Sequence, residues 1–164
     1  MNNLRPVDHS ALSTNQATLI TLLVLAFIFN QPILAAVVAV FMLGGTAVGK
    51  PGFGWLYTRV LRPLGIVKPD VLQDNMEPHR FAQGMGGVFV LAGFIALTAG
   101  LSTLGWALVW IVVALAALNL FGGFCVGCAI YYWLVRLNVP GFVKAPPPET
   151  RIPGLKPRHE GGRR

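Results

Sequence analysis

The chain has 164 residues, of which 54% are hydrophobic and 12% charged, with a formal net charge of +7. A soluble domain carries about 25% charged residues, yet two stretches here, 9–49 and 81–135, contain no Asp, Glu, Lys or Arg and make up 96 of the 164 residues. That excludes a soluble globular core, which would leave most residues with a solvent-facing side, and points to an integral membrane protein lying in the lipid bilayer. The positive charge is divided among short proline-interrupted segments rather than gathered on one face, which argues against nucleic-acid binding.

In chain order, Asp8 or Ser10 is placed to cap a first helix. The run TLITLLVLAFIFN then supplies a first span over about 14–30, given the ~20 apolar residues that a crossing helix needs. A cleaved signal peptide has a basic start and a polar cleavage region; here the start holds one Arg and one Asp, and apolar sequence resumes after Pro32, so the span is expected to be retained. Asn30-Gln31 suits a tight turn and Pro32 the first turn of a second span, 32–48. The connection 49–80 is punctuated by Gly and Pro, with a short interfacial helix expected from Trp55 to Leu61 and with Trp55 and Tyr57 in the headgroup layer. Pro78 fits the first turn of a third span, 81–99; LSTLG makes a turn, and a fourth span, 105–124, continues in some form to Leu137. The stretch 141–164 is basic and proline-rich and is expected to be extended or disordered.

The expected fold is therefore an all-α membrane protein with four transmembrane helices arranged as two hairpins. All 13 Lys and Arg fall in the amino-terminal segment, in 49–80 or from Arg136 onward, while the turns at Asn30-Gln31 and Leu101-Gly105 carry none. By the positive-inside rule both termini and the central connection face the cytoplasm. Gly44-Gly45, Gly49 and Trp55-Leu56 recur 78 residues later as Gly122-Gly123, Gly127 and Trp133-Leu134, a candidate parallel repeat. Gly45 to Gly49 and Gly123 to Gly127 are both G-x-x-x-G, the spacing that lets membrane helices approach closely, and all four glycines are candidate packing positions.

The only two cysteines, Cys125 and Cys128, stand three apart in GFCVGCAIYY. A helix entered at Trp106 brings Cys125 about 28 Å along its axis, near the cytoplasmic edge of a core about 30 Å thick. Gly122-Gly123 is a candidate kink just before the thiols, and Tyr131, Tyr132 and Trp133 a candidate aromatic belt. Three readings compete for the pair: small hydrophobes packed in a helix seam; a redox or sulfur-carrying dithiol with its own resolving thiol, reduced at rest on the cytoplasmic side; or a zinc site completed by His9 and His79. At the offset of the repeat, Cys125 corresponds to Ala47 and Cys128 to Lys50, so the glycine framework occurs once without thiols. The dithiol reading is accordingly preferred, with no cofactor expected. Asp8, His9, Asn15, Gln16, Glu77, His79, Arg80 and Gln83 would gather on the same side in one bundle, mostly as caps and interfacial groups. His79, Gln83 and Asn119 are the candidates for a polar pocket around Cys125 and Cys128.

VDHSALSTNQA, RPLGIVKPD, EPHRFAQG and ALNLFGGFCVGCAIYY resemble the signatures of the bacterial membrane-protein family DUF4395, a domain of unknown function, over roughly residues 6–140. The resemblance implies a small multi-pass protein of the bacterial inner membrane and brings no activity with it. GFCVGCAIYYWLVRLNV is similar, more weakly, to the membrane domain that accompanies rhodanese modules in sulfur-handling proteins, which has one comparable cysteine near a helix end. The resulting expectation is a cytoplasm-facing thiol relay that exchanges electrons or sulfane sulfur with a thioredoxin-like or sulfurtransferase partner. A non-enzymatic membrane scaffold, binding another membrane protein through the glycine seams, is the alternative. A solute carrier is disfavoured by the uncharged spans.

Overall fold

A computed structural model describes residues 4–147 and 152–157. A strand β1 (Arg5–Asp8) leads directly into helix α1 (His9–Ile28), followed by α2 (Pro32–Val48) and a short α3 (Gly54–Leu56) that runs on as a π-helical turn, Tyr57–Leu61. Strand β2 (Val71–Asp74) then precedes α4 (Met76–Thr98), α5 (Ser102–Gly122) and α6 (Val126–Arg136). Helices α1, α4 and α5 are long and apolar enough to cross a membrane; α2 is apolar but has 17 residues.

Helix α1 packs on α2 and α5, and α4 packs on the same two, so the four close into a ring, with α6 laid against α4. The interior is filled by Leu19 and Leu23 of α1, Val38 and Met42 of α2, Val90 of α4 and Val109 and Val112 of α5. Val40, Val88, Ile95 and Phe121 point outward and are exposed, as expected where a face meets lipid rather than water. Small residues set the seams. A Cβ on Gly87 would come 2.9 Å from the Leu43 side chain, and one on Gly105 would come 2.8 Å from the carbonyl oxygen of Gly93. Without a hydrophobic drive between helices in lipid, this close van der Waals approach is what holds them.

The turns follow the sequence expectations closely. Asn30 adopts a positive φ of 48° and Pro32 is the first residue of α2. Asp8 caps α1 by accepting the Ser10 N–H at 3.0 Å, and its other carboxylate oxygen accepts the Tyr57 hydroxyl at 2.8 Å. Tyr57 is thus buried at 1% exposure rather than set in a headgroup layer, because its hydroxyl has a carboxylate partner inside the fold. Trp55 remains exposed as expected.

Other expectations are corrected. The antiparallel ribbon of β1 and β2 pairs Arg5 with Asp74 and Asp8 with Val71, an element absent from an all-α reading. The continuation of the fourth span to Leu137 takes the form of a second helix: Gly123 adopts the left-handed conformation (φ 64°) and ends α5, and α6 starts at Val126. Only glycine enters that conformation without steric cost, so it is a stop rather than a kink. Tyr131 and Tyr132 are buried against Phe81 and Phe142, leaving Trp133 as the exposed aromatic of the three.

The glycine pairs divide their labour. A Cβ on Gly45 would meet the Gln83 amide at 2.6 Å, and one on Gly127 would meet the Cβ of Ala82 at 2.5 Å. These two neighbours on α4 receive one glycine from α2 and one from α6. Gly49 (φ 78°) and Gly123 instead end their helices. The offset of 78 therefore aligns a packing glycine with a capping one. Of the carboxy-terminal stretch, residues 148–151 and 158–164 lie outside the described residues, while Leu155 pairs with Phe124 as an isolated antiparallel bridge.

Candidate functional site

The site forms where the ribbon, the starts of α1 and α4 and the junction between α5 and α6 meet. His9 opens α1 and is tied down by its backbone N–H, which donates to the Asp70 carbonyl at 2.8 Å. Burial alternates along β2, so Leu72 and Asp74 face inward. One turn into α4, His79 projects back over Asp74. Cys125 sits in the extended chain as the N-cap of α6, and Cys128 lies in the first turn of that helix.

These side chains form one continuous series. Asp74 Oδ2 is 3.0 Å from His79 Nε2 and 3.2 Å from His9 Nε2. The His9 nitrogen is at ion-pair distance without hydrogen-bond alignment, so His79 is the better partner. Asp74 Oδ1 accepts the Asn75 N–H at 2.8 Å. The opposite nitrogen of the His79 ring, Nδ1, lies 3.5 Å from Cys128 Sγ. Cys125 and Cys128 are joined as a disulfide with a Cα–Cα distance of 5.2 Å, within the usual bridging range. Cys125 Sγ also accepts the Cys128 N–H at 3.2 Å, as a side chain does at a helix N-cap.

Electrostatics sharpen the series. Burial alone would raise the Asp74 carboxyl, but the hydrogen bond from His79, the contact with His9 and the Asn75 N–H outweigh it and hold the group well below the usual carboxylate range. A fixed negative charge at 4% exposure orients His79 toward the sulfurs. At the other end, the orphan N–H groups and dipole of α6 face Cys125, a setting that favours a thiolate when the bridge is reduced.

The carboxy-terminal stretch covers the pair. The Cys125 N–H donates to the Gly154 carbonyl at 2.8 Å and the Lys156 N–H to the Gly123 carbonyl at 2.9 Å, while the Lys156 ammonium pairs with Asp70. Beneath this cover is a small, half-polar pocket of about 80 Å³ lined by Cys125 and Cys128 together with His9, Asp74, His79 and Asn119. A second, largely apolar cavity of about 210 Å³ reaches from Phe89 and Ile111 up to His79, Gln83, Asn119 and Cys125.

His79, Gln83 and Asn119 thus line one cavity with Cys125. Gln83 also has a packing duty, donating to the Met42 carbonyl at 2.8 Å. The extended backbone of the Cys125 N-cap brings the two sulfurs within bridging distance of each other. The candidate metal set Cys125, Cys128, His9 and His79 splits in two. The sulfurs gather with His79 Nδ1, and His9 and Asp74 with His79 Nε2, each trio having its ligand atoms within 4.8 Å. One ring cannot turn both nitrogens to one ion, so a single four-ligand centre does not form in this arrangement. Asp74 and the Gly154 carbonyl escaped sequence reasoning. No motif or spacing singles out Asp74 in the sequence, and nothing local marks a pairing across about thirty residues.

The fold and site define a helical protein with three helices able to cross a membrane and a disulfide at a helix N-terminus backed by a histidine–aspartate pair. The family model described as "Domain of unknown function (DUF4395)" matches residues 7–136. The chain belongs to that family. Comparison with curated proteins and with solved structures finds no match, and the weaker similarity to the rhodanese-associated membrane domain is not supported.

Proposed function

We propose that the protein is a thiol–disulfide relay of the bacterial inner membrane, with α1, α2, α4 and α5 crossing the bilayer as two hairpins and both termini and the disulfide on the cytoplasmic side. The observation that carries this reading is the series Asp74–His79–Cys128–Cys125 ending at the start of a helix. The orientation rests on the basic residues of the amino-terminal segment, the central connection and the stretch from Arg136 onward.

The partner is a dithiol protein of thioredoxin-like or sulfurtransferase type. Its thiolate attacks Cys125 Sγ, the Cys125–Cys128 bond breaks, and Cys128 leaves with both bonding electrons. His79, held by Asp74 through Nε2, delivers a proton to that sulfur through Nδ1. The partner's second thiol, deprotonated, then attacks the mixed disulfide and releases Cys125 as a thiolate at the α6 N-terminus. The partner ends as a disulfide and this protein as a dithiol. Differential alkylation in native membranes tests the reading: the two cysteines should shift together between blocked and alkylatable forms on mild reduction and reoxidation. A pair that never changes state under any such treatment would rule it out.

A further inference from the structure

Turnover of the relay requires that the dithiol be reoxidised, and the apolar cavity supplies a route. Its inner end is formed by Cys125 and His79, whereas its wall includes Phe89, Ile111, Leu115 and Ile130, which are between 37% and 46% exposed on the outer surface of the bundle. A cavity whose wall reaches the lipid-facing surface admits its ligand from the bilayer, not from water. At the inner end the side-chain amides of Gln16 and Asn119 line both this cavity and the polar pocket, and neither has a hydrogen-bond partner among the described residues. The combination is an apolar slot with polar groups at one end, adjoining a two-electron centre. It suits a flat, lipid-dissolved molecule with carbonyl oxygens on its ring and a hydrocarbon chain.

We propose that this cavity binds a membrane quinone, which oxidises the Cys125–Cys128 dithiol; the proposal rests on the relay reading and names its electron acceptor. As the S–S bond forms, both S–H bonds are lost, and two electrons and two protons pass to the quinone, which leaves as the hydroquinone. Asn119 donates to a ring carbonyl. His79, which touches Cys128 Sγ and lines the same cavity, carries the proton from that thiol. A phospholipid acyl chain fits the slot equally well but accepts no electrons, and the assay separates the two.

The test uses the full-length protein in nanodiscs, reduced and freed of reductant, and a decyl-benzoquinone with every ring position substituted so that thiols cannot add to it. One hydroquinone should form per disulfide regained. Leu115→Trp and the milder Ala116→Leu, which fill the slot, should slow that step at least tenfold while leaving reduction of the disulfide by dithiothreitol unchanged, which also shows that the variants are folded. If the quinone oxidises the dithiol no faster in the wild-type protein than in both filled variants, or does not oxidise it at all, the slot holds lipid alone and the proposal is overturned. A disulfide that dithiothreitol cannot reduce in any variant would instead refute the relay beneath it.

Discussion

Asp74→Asn isolates the buried charge that orders the site. The replacement keeps the shape and an oxygen for the Asn75 N–H, but removes the anion 3.0 Å from His79. A hydrogen bond involving a charged group contributes about 1.5–3 kcal/mol, and the poorly aligned His9 contact adds little, so the loss is about 2 kcal/mol. For a chain of this size that lowers the unfolding midpoint by about 4–8 °C. The dependence on pH has a definite sign. Because the folded carboxyl lies below its unfolded value of 3.8, its contribution is complete above that value and is lost as pH falls through it toward the folded value. Thermal unfolding in detergent, followed by tryptophan fluorescence, should show the wild type losing stability over this acid range and the variant starting lower with a shallower acid loss. Equal midpoints at neutral pH, or the same acid slope in both proteins, would refute the assignment of a stabilising carboxylate to this position.

Gly127→Ala places a methyl group 2.5 Å from Ala82 Cβ; overpacking of this kind costs about 1–3 kcal/mol, and pushing α6 from α4 should reduce the rate at which the disulfide re-forms in refolding assays. Removing the chain after Pro147 takes away the Gly154 carbonyl and Lys156, so in the reduced protein alkylation of Cys125 should become several-fold faster; an unchanged rate would mean that this stretch does not cover the thiols. A cysteine introduced as Ser102→Cys, at the first residue of α5, should react with an impermeant reagent added from outside intact spheroplasts. Labelling only after lysis would reverse the orientation.

The helices were legible because their cause is local. The expected 32–48 matches α2, and the other three spans differ from α1, α4 and α5 by a few residues at each end, since apolar run length and the glycine and proline punctuation carry the information. The cysteine pair stood out in the sequence by its C-x-x-C spacing, and in the structure His79, Gln83 and Asn119 line one cavity with Cys125. What stayed hidden depends on contacts remote in sequence. Strands of four residues, one containing Pro6, have no alternation long enough to detect. Tyr57, Tyr131 and Tyr132 have the composition of interfacial residues, and only Asp8, Phe81 and Phe142, brought in by folding, bury them. Asp74 belongs to the same class: its importance comes from the two histidines that converge on it.

The most direct measurement of the relay is the site at which a mixed disulfide forms. Cys128→Ser and Cys125→Ser, each purified and exposed to oxidised glutathione at neutral pH, can be compared by intact-mass and peptide mass spectrometry. With Cys125 at the N-terminus of α6, the Cys128→Ser protein should form the glutathione adduct on Cys125 at least tenfold faster than the Cys125→Ser protein forms one on Cys128. Equal, negligible labelling of both would contradict the account and leave the pair as a structural bridge.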